Sequence, residues 1–537
     1  MQITLIQCPA NNPDSPPYSL ALLNAALKSA GHSPIIHDLN IELFQRARRL
    51  GLENVWSQGH SQEAPIEKWI SKEFTSDKLA PHQDYINDFV EKIVEDKSPV
   101  IGFTAHTSSF WSSIMIAEQV KKKAPNKTIV FGGAYCFLNH EGPFLLDKYD
   151  FIDIVCFLEA ETSFPELLHK MEKGEPYYDQ DGYGFRTDTG EVVNNYINTP
   201  HGKSILSDSF IKDLDTIPFA DWSCFDFDNY QENYLPIITG RGCIRRCSFC
   251  NEAPVWGRFR TRTASNIEAE IMHQSQLYPH ISVFWFMDSL VNGNLEMLSE
   301  LCDRLIARET AGLSGKERGG GKFGWTGQFL IRPEMDEYMW EKISLAGGQW
   351  FACGLENGSN NVLKMMRKGY TRELVKKVIA AAHKVDPDLI SVAMFVVGHP
   401  GETEEDFQDT LDMILFLKSL GISSSVSTCD VRRDSPLWLM KDKYGIIVPP
   451  DEEYFDGNPH KWYTKDGTNT PAYRESLLKR TMEVNATMLH TLKPGEKGLV
   501  EGSVNLHYQG AEIQDIAAKS MKGKNVLRIL KDLIIKP

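Results

Sequence analysis

Two separate series of short β-rich apolar runs, each spaced by stretches of helical periodicity, restrict this chain to folds in which helices pack on parallel strands. The first series places strands at 3–7, 33–38, 99–104, 128–132 and 152–157, with helices at 18–30 and 111–123 and a less regular helical insertion over about 51–98. A parallel, doubly wound, Rossmann-like (flavodoxin-like) sheet is expected. Such sheets bind ligands beyond the carboxyl ends of their strands, so 9–17, 104–110, 132–135 and 158–161 should converge on one crevice. The second series puts strands at 236–240, 283–287, 323–328, 349–354, 391–397 and 424–428, separated by helices at 264–275, 295–308, 336–346, 372–385 and 404–420. That pattern predicts a partial (β/α)6 TIM barrel with its site at the strands' carboxyl ends. The intervening stretch is polar and rich in Gly, Pro and Asp, which reads as a linker with a small hairpin. Beyond 430 the strand signal fades into an irregular aromatic segment at 449–473 and helical stretches at 475–492 and 513–535. The expected domains are therefore 1–173, a linker over 174–234, a barrel over 235–430, and a mainly helical carboxyl-terminal region over 431–537 that covers the substrate.

Charge and composition narrow the partners. A net charge of −15 over 537 residues argues against a broad phosphate-binding surface, so no nucleic-acid partner is expected. No run approaches the ~18 apolar residues of a membrane span, and the opening MQITLIQCPANNPD reads as a strand rather than a leader, so a cytoplasmic location is expected. Ten cysteines in such a chain do not make a disulfide framework, because seven are scattered singly. Three are clustered.

These three lie in RGCIRRCSFC at 241–250, where Cys243, Cys247 and Cys250 have the spacing C-x3-C-x2-C directly after the first barrel strand. Thiolates bind iron-sulfur clusters, and a fully ligated 4Fe-4S cluster takes four of them. Three leave one iron open, which is how a metal site becomes catalytic. A structural zinc site is the competing reading, but it needs four ligands in recurring pairs, and no second pair follows. The motif, with Phe249 before its last cysteine, resembles the radical S-adenosylmethionine (SAM) superfamily. By that resemblance, the SAM amino and carboxylate groups chelate the open iron, and an electron from the cluster breaks the sulfonium bond to give a 5′-deoxyadenosyl radical. Further segments resemble the superfamily's SAM pocket. FWFMD ends in Asp288, which the resemblance places near the SAM amino group, with a helix cap as the plain alternative. GLENGS at 354–359 resembles G-x-E-S-G-S, so Glu356 would bond the ribose hydroxyls and Ser359 belongs to the same segment, with Asn357 replacing the usual Ser. VGHPGE at 397–402 resembles the glycine-rich adenine segment and brings in Gly398 and Pro400. Gln328 and Arg332 are weaker candidates near the third strand end.

The amino-terminal part lacks both G-x-x-x-x-G-K-[ST] and a G-x-G-x-x-G after its first strand, which disfavours nucleotides. Instead the stretches at 13–31, 37–38, 104–109, 132–133 and 157–161, with DLDTIP at 213–218, resemble the cobalamin-binding domain that precedes the barrel in one large branch of the superfamily. That resemblance implicates Thr104, His106, Ser108, Gly132, Gly133, Tyr135 and Glu159 in cobalamin binding. The D-x-H-x-x-G of a histidine-on cobalamin protein is replaced by Gln-Cys-Pro-Ala-Asn-Asn at 7–12, so no histidine lower ligand is expected. His106 and His140 lie near the rim but read more simply as hydrogen-bonding residues, Cys8 and Cys136 as packing, and Glu159 and Glu161 as either cofactor contacts or helix caps.

Together these features resemble the cobalamin-dependent radical SAM methyltransferases. They imply methylation of an unactivated carbon in a small-molecule, natural-product or peptide substrate, with flavodoxin or ferredoxin as electron donor. Cyclisation, ring contraction or oxidation without methyl transfer is the alternative, and a noncatalytic cobalamin or iron-sulfur sensor is the second. Substrate contacts are sought among Arg432, Arg433, Trp438, Tyr454, Trp462, Tyr463 and Tyr473, which serve equally as packing and ion-pair residues.

Overall fold

The computed structural model describes residues 1–53, 56, 69–138, 141–199, 202–204, 210–310, 323–450 and 458–487. His140, Tyr454 and the helix expected at 513–535 lie outside the described residues.

The first series folds as expected into β1 (Gln2–Gln7), β2 (Ser33–Asp38), β3 (Val100–Thr104), β4 (Thr128–Gly132) and β5 (Ile154–Cys156), all parallel, in the order β2-β1-β3-β4-β5. Helices cover both faces. Ile3, Leu5, Val100 and Val130 enter one core, whereas Ile6, Ile101, Phe103 and Phe131 enter the other, which is the period-two alternation of a strand buried on both sides. The hairpin expected after the first domain is β6 (Tyr183–Arg186) with β7 (Val192–Asn194), and it extends the same sheet through antiparallel pairing of β6 on β5. A second small hairpin, β8 (Ile197–Thr199) and β9 (Gly202–Ser204), follows. The chain then returns along helix Tyr18–Ser29, where the Asp221 amide donates to the Ala21 carbonyl at 3.0 Å and Lys28 pairs with Asp221 at 2.7 Å.

The second series forms a six-stranded, wholly parallel sheet in sequence order: β10 (Tyr234–Ile237), β13 (Val283–Phe286), β14 (Gly324–Phe329), β15 (Phe351–Glu356), β16 (Ile390–Val397) and β17 (Ser423–Thr428). This is the expected partial (β/α)6 barrel, and helix Arg372–Val385 has the expected bounds. The first strand ends at Ile237, short of the expected 240, because the chain is drawn aside at Thr239 and Gly240. There Gly240–Arg241 (β11) pairs instead with Arg260–Thr261 (β12). The barrel core is aromatic, with Phe286 stacked on Trp325 at 4.9 Å between ring centres. Beyond β17, Ile446–Ile447 (β18) and Tyr463–Thr464 (β19) form a hairpin, and helix Pro471–Thr487 packs against the barrel.

Candidate active site

The loop after the first barrel strand is held from several directions. The Asp288 carboxylate, at the end of β13, accepts the Thr239 amide at 2.9 Å, the Thr239 hydroxyl at 2.9 Å and the Gly240 amide, which fixes where the loop leaves the sheet. Burial pushes this carboxyl up to about 6 despite those donors. At the far side Ser248, fully buried, donates its amide to the Met366 carbonyl at 3.0 Å and accepts the Leu437 amide at 2.7 Å. Its hydroxyl lies 2.9 Å from His399 Nε2. Three segments distant in sequence thus clamp one residue between the second and third cysteines.

Cys243, Cys247 and Cys250 face a cavity of about 340 Å³ together with Phe249, Asp288, Gln328, Glu356 and Lys368. Backbone amides already point at sulfur: Arg245 N lies 3.4 Å from Cys243 Sγ and Glu252 N lies 3.5 Å from Cys250 Sγ. Burial raises all three thiols, Cys250 to about 12, so the free thiols stay protonated at neutral pH and metal must displace protons to bind. No fourth cysteine and no histidine lines this cavity among the described residues, a donor set that fits a 4Fe-4S cluster with one open iron.

Glu356 sits at φ +67°, a left-handed conformation costly for a residue with a side chain, and aims its carboxylate at Lys368 Nζ 3.1 Å away. Burial opposes the Lys368 charge, yet Glu356 keeps its ammonium protonated well above the ordinary lysine value. The other expected SAM residues stand behind the wall. Ser359 caps helix Asn360–Met365 and donates to Asp406 at 2.5 Å. Asn357 donates to Glu402 at 2.9 Å. Gly398, at φ +78°, lies against Arg474, whose side chain a Cβ would strike, and the Pro400 carbonyl faces His399 Nδ1 at 2.9 Å. Arg332 is occupied with the carbonyls of Asn292 and Gly293 at 2.9 and 3.0 Å.

A second cavity, about 220 Å³ and mainly apolar, opens at the carboxyl ends of β1, β3, β4 and β5, beside the β1–β3 pair where the strand order reverses. Thr104, His106, Gly132, Gly133 and Glu159 line it. Gly133 is at φ +93°, and a Cβ there would lie 2.7 Å from the Ala105 carbonyl and 2.9 Å from Thr104 Oγ1, so only glycine lets the backbone form this cradle. Ser108 and Tyr135 are not among the lining residues. Ser108 donates to the Ala10 carbonyl at 2.6 Å, and Tyr135 stacks on Phe110 with centres 4.1 Å apart.

Arg241 and Trp256, both from the barrel part of the chain, close this second cavity. Arg241 pairs with Glu159 at 2.8 Å and Glu161 at 2.5 Å, and Arg260 reaches Glu159 at 2.9 Å. The Ile211 amide donates to the remaining Glu159 oxygen at 2.7 Å. Burial alone would raise the Glu159 carboxyl, but the two guanidiniums hold it below the ordinary value. The two acids thus join the sheet's carboxyl edge to the cysteine loop, two residues before Cys243. Lys368, His399, Arg241 and Arg260 were not singled out from the sequence, although Arg241 opens the cysteine motif and His399 lies inside VGHPGE.

Of the residues considered for substrate, Trp462 is buried under Arg474, with the guanidinium 3.9 Å from the ring centre. Arg433 pairs with Glu141 of the first domain at 3.5 Å, and Arg432 with Asp430 at 3.5 Å. Tyr463 is exposed.

Residues 237–414 match the Radical SAM superfamily. The matched stretch holds the cysteine loop and most of the parallel barrel, and a doubly wound domain precedes it in the chain. The same architecture occurs in the radical S-adenosylmethionine methyltransferase TsrM from Kitasatospora setae, solved with cobalamin and a [4Fe-4S] cluster, at TM-score 0.62 and 16% identity over 92% of both chains. The cobalamin-dependent radical enzyme OxsB, solved with aqua-cobalamin and S-adenosylmethionine, aligns at TM-score 0.56 and 16% identity over 90% of this chain and 61% of its own. In sequence, the chain is 23% identical over 322 residues to the anaerobic magnesium-protoporphyrin IX monomethyl ester cyclase of Synechocystis sp., 59% of each chain. It is 24% identical over 348 residues to the tRNA-2-methylthio-N(6)-dimethylallyladenosine synthase of Clostridium botulinum strain Langeland, 64% of this chain and 67% of that one. The match thus spans a little over half of the cyclase. No helix among the described residues is long and apolar enough to cross a membrane.

Proposed function

We propose that this protein is a cobalamin-dependent radical SAM methyltransferase that methylates an unactivated carbon of a small-molecule or peptide substrate in the cytoplasm. The observation that carries the reading is the shared wall: Arg241 lines the first-domain cavity and opens the loop whose cysteines line the barrel cavity. Cys243, Cys247 and Cys250 would hold the cluster, and the glycine cradle at Gly132 and Gly133 with its apolar walls would receive cobalamin. When bound, the cluster supplies the electron that cleaves SAM, and cobalamin supplies a transferable methyl group. The protein's own share is positioning. Asp288 sets the loop's exit, Glu356 offers a carboxylate oxygen to the ribose hydroxyls, Lys368 places a cation beside the thiolates, and Gln328 and Phe249 complete the SAM wall.

Similarity to the cyclases favours a second reading, cobalamin-dependent radical chemistry without methyl transfer. A methylthiotransferase role is disfavoured because it calls for a further cysteine set, whereas Cys8, Cys136 and Cys156 are buried packing residues. The deciding experiment is anaerobic turnover of reconstituted protein with SAM and candidate substrates. A methylase releases S-adenosylhomocysteine and a product heavier by one methyl. Substrate conversion with 5′-deoxyadenosine but no S-adenosylhomocysteine would favour the second reading.

A further inference from the structure

The cysteine loop has an outer side that the proposed chemistry does not use. Ile244 is 40% exposed and Leu439 is 44% exposed, unusual for large aliphatic side chains beside a buried metal loop. Their two segments are tied together at Ser248, which donates to the Met366 carbonyl and accepts the Leu437 amide. The charge around them is one-sided. Residues 243–250, 360–370 and 435–445 carry seven Lys or Arg and one acid, Asp442, in a chain with 57 basic and 72 acidic residues. Lys368 turns inward to Glu356, and Arg245 lies over Gly369, where a Cβ would come within 2.5 Å of its guanidinium. Arg246, Lys364 and Arg367 stay exposed, and with Lys441 they have no carboxylate in ion-pair reach among the described residues. Arg367 reaches across to Met440 Sδ at 3.5 Å, and Lys441 lies over Trp438 at 4.4 Å, so the segments form one surface.

We propose that this face docks an acidic one-electron carrier protein of the flavodoxin or ferredoxin class. The proposal rests on the radical SAM reading above. A protein of net charge −15 repels an acidic partner at long range, so productive encounter requires a local region of opposite sign. Here that region surrounds two exposed apolar side chains, one of them between the cysteine ligands. Basic rim charges orient the approach, and Ile244 and Leu439 supply the desolvated centre. One electron leaves the reduced flavin or iron-sulfur centre of the carrier and reduces the cluster by one electron, with no atom transferred. RNA is the competing polyanion, but the exposed centre of the face is aliphatic, and the neighbouring Trp438 is half-buried with Lys441 over its ring.

The test uses the reconstituted holoenzyme, reduced bacterial flavodoxin, dithionite and a structureless RNA oligomer. The triple variant Lys364→Glu, Arg367→Glu, Lys441→Glu is compared with a matched reversal elsewhere, Arg48→Glu, Arg49→Glu, Lys97→Glu. The first variant should bind flavodoxin about tenfold or more weakly at ~50 mM salt, and flavodoxin should reduce its cluster correspondingly slowly. Its reduction by dithionite and its iron content should match wild type, and the control triple should behave as wild type. The wild-type advantage should shrink at ~500 mM salt. Equal flavodoxin affinity in all three proteins, equal losses in both triples, or RNA displacing flavodoxin from the wild type at lower concentration would overturn the docking face. If dithionite-reduced wild type fails to cleave SAM, the radical SAM reading falls, while the affinity comparison still decides the surface.

Discussion

Replacing Arg241 by Met tests the junction between the two cavities. The side chain is 6% exposed, and its partners Glu159 and Glu161 are 1% and 11% exposed. Removing one member of a buried ion pair costs about 3–5 kcal/mol, chiefly because the partner charge is left without compensation. Glu159 would keep Arg260 and the Ile211 amide, so the orphan is Glu161, and the lower end, about 3 kcal/mol, applies. A unit of about 200 residues loses roughly 2–4 °C per kcal/mol, which gives a fall of about 6–12 °C in the transition reporting the first domain. The double variant Arg241→Met, Glu161→Gln removes the orphan charge and should recover about half of that loss, a coupling of about 1.5 kcal/mol. Thermal unfolding by circular dichroism, with cluster and cobalamin absent from every sample, reads the stability. Titration with hydroxocobalamin reads the pocket, which should bind at least about tenfold more weakly in the single variant, since its closing wall is gone. If Arg241→Met melts within about 1 °C of wild type and binds cobalamin unchanged, or if the double variant is no better than the single, the ion-pair wall does not join the domains.

Three further outcomes follow from the same geometry. His399→Ala leaves the fully buried Ser248 hydroxyl without its partner, a cost of about 1–3 kcal/mol at the loop, so iron per chain after reconstitution should fall while cobalamin affinity holds. Gly133→Ala forces a Cβ to 2.7 Å from the Ala105 carbonyl, and spectrophotometric titration should show cobalamin binding lost with iron content kept. Glu402 is raised by burial from 4.5 to about 7, so the folded chain retains a proton that the unfolded chain has released, and its stability contribution is full below pH 4.5 and lost as pH rises through 7. Glu402→Gln should therefore flatten a decline of at most ~3 kcal/mol over that window, seen as melting temperatures that depend less on pH than those of wild type.

Much of this organisation is legible in the sequence, because strand and helix periodicity are local signals. The six barrel strands and their helices fall within a few residues of expectation, and the cysteine spacing marks the loop on its own. The polar composition around Tyr183–Arg186 and Val192–Asn194 conceals how these short strands lengthen the first sheet, β6 pairing with β5 and β7 forming the edge. Site residues behave differently. Glu356 lies in a recognisable segment, but its partner Lys368 follows 12 positions later, and Arg241 lies 82 from Glu159. No periodicity encodes such pairs. Ser108 and Tyr135 show the converse: they sit among rim residues in sequence, yet a hydrogen bond to Ala10 and a stack on Phe110 occupy them.

The central claim, two cofactors in one chain at independently built but adjoining sites, is tested most directly by counting metals after anaerobic reconstitution with iron, sulfide and hydroxocobalamin. Wild type should hold about four irons and one cobalt per chain, and the iron should be lost with cobalt retained when Cys243, Cys247 and Cys250 are all replaced by Ala. A wild-type chain that binds iron but no cobalt, or a triple variant that still holds its iron, would contradict the claim.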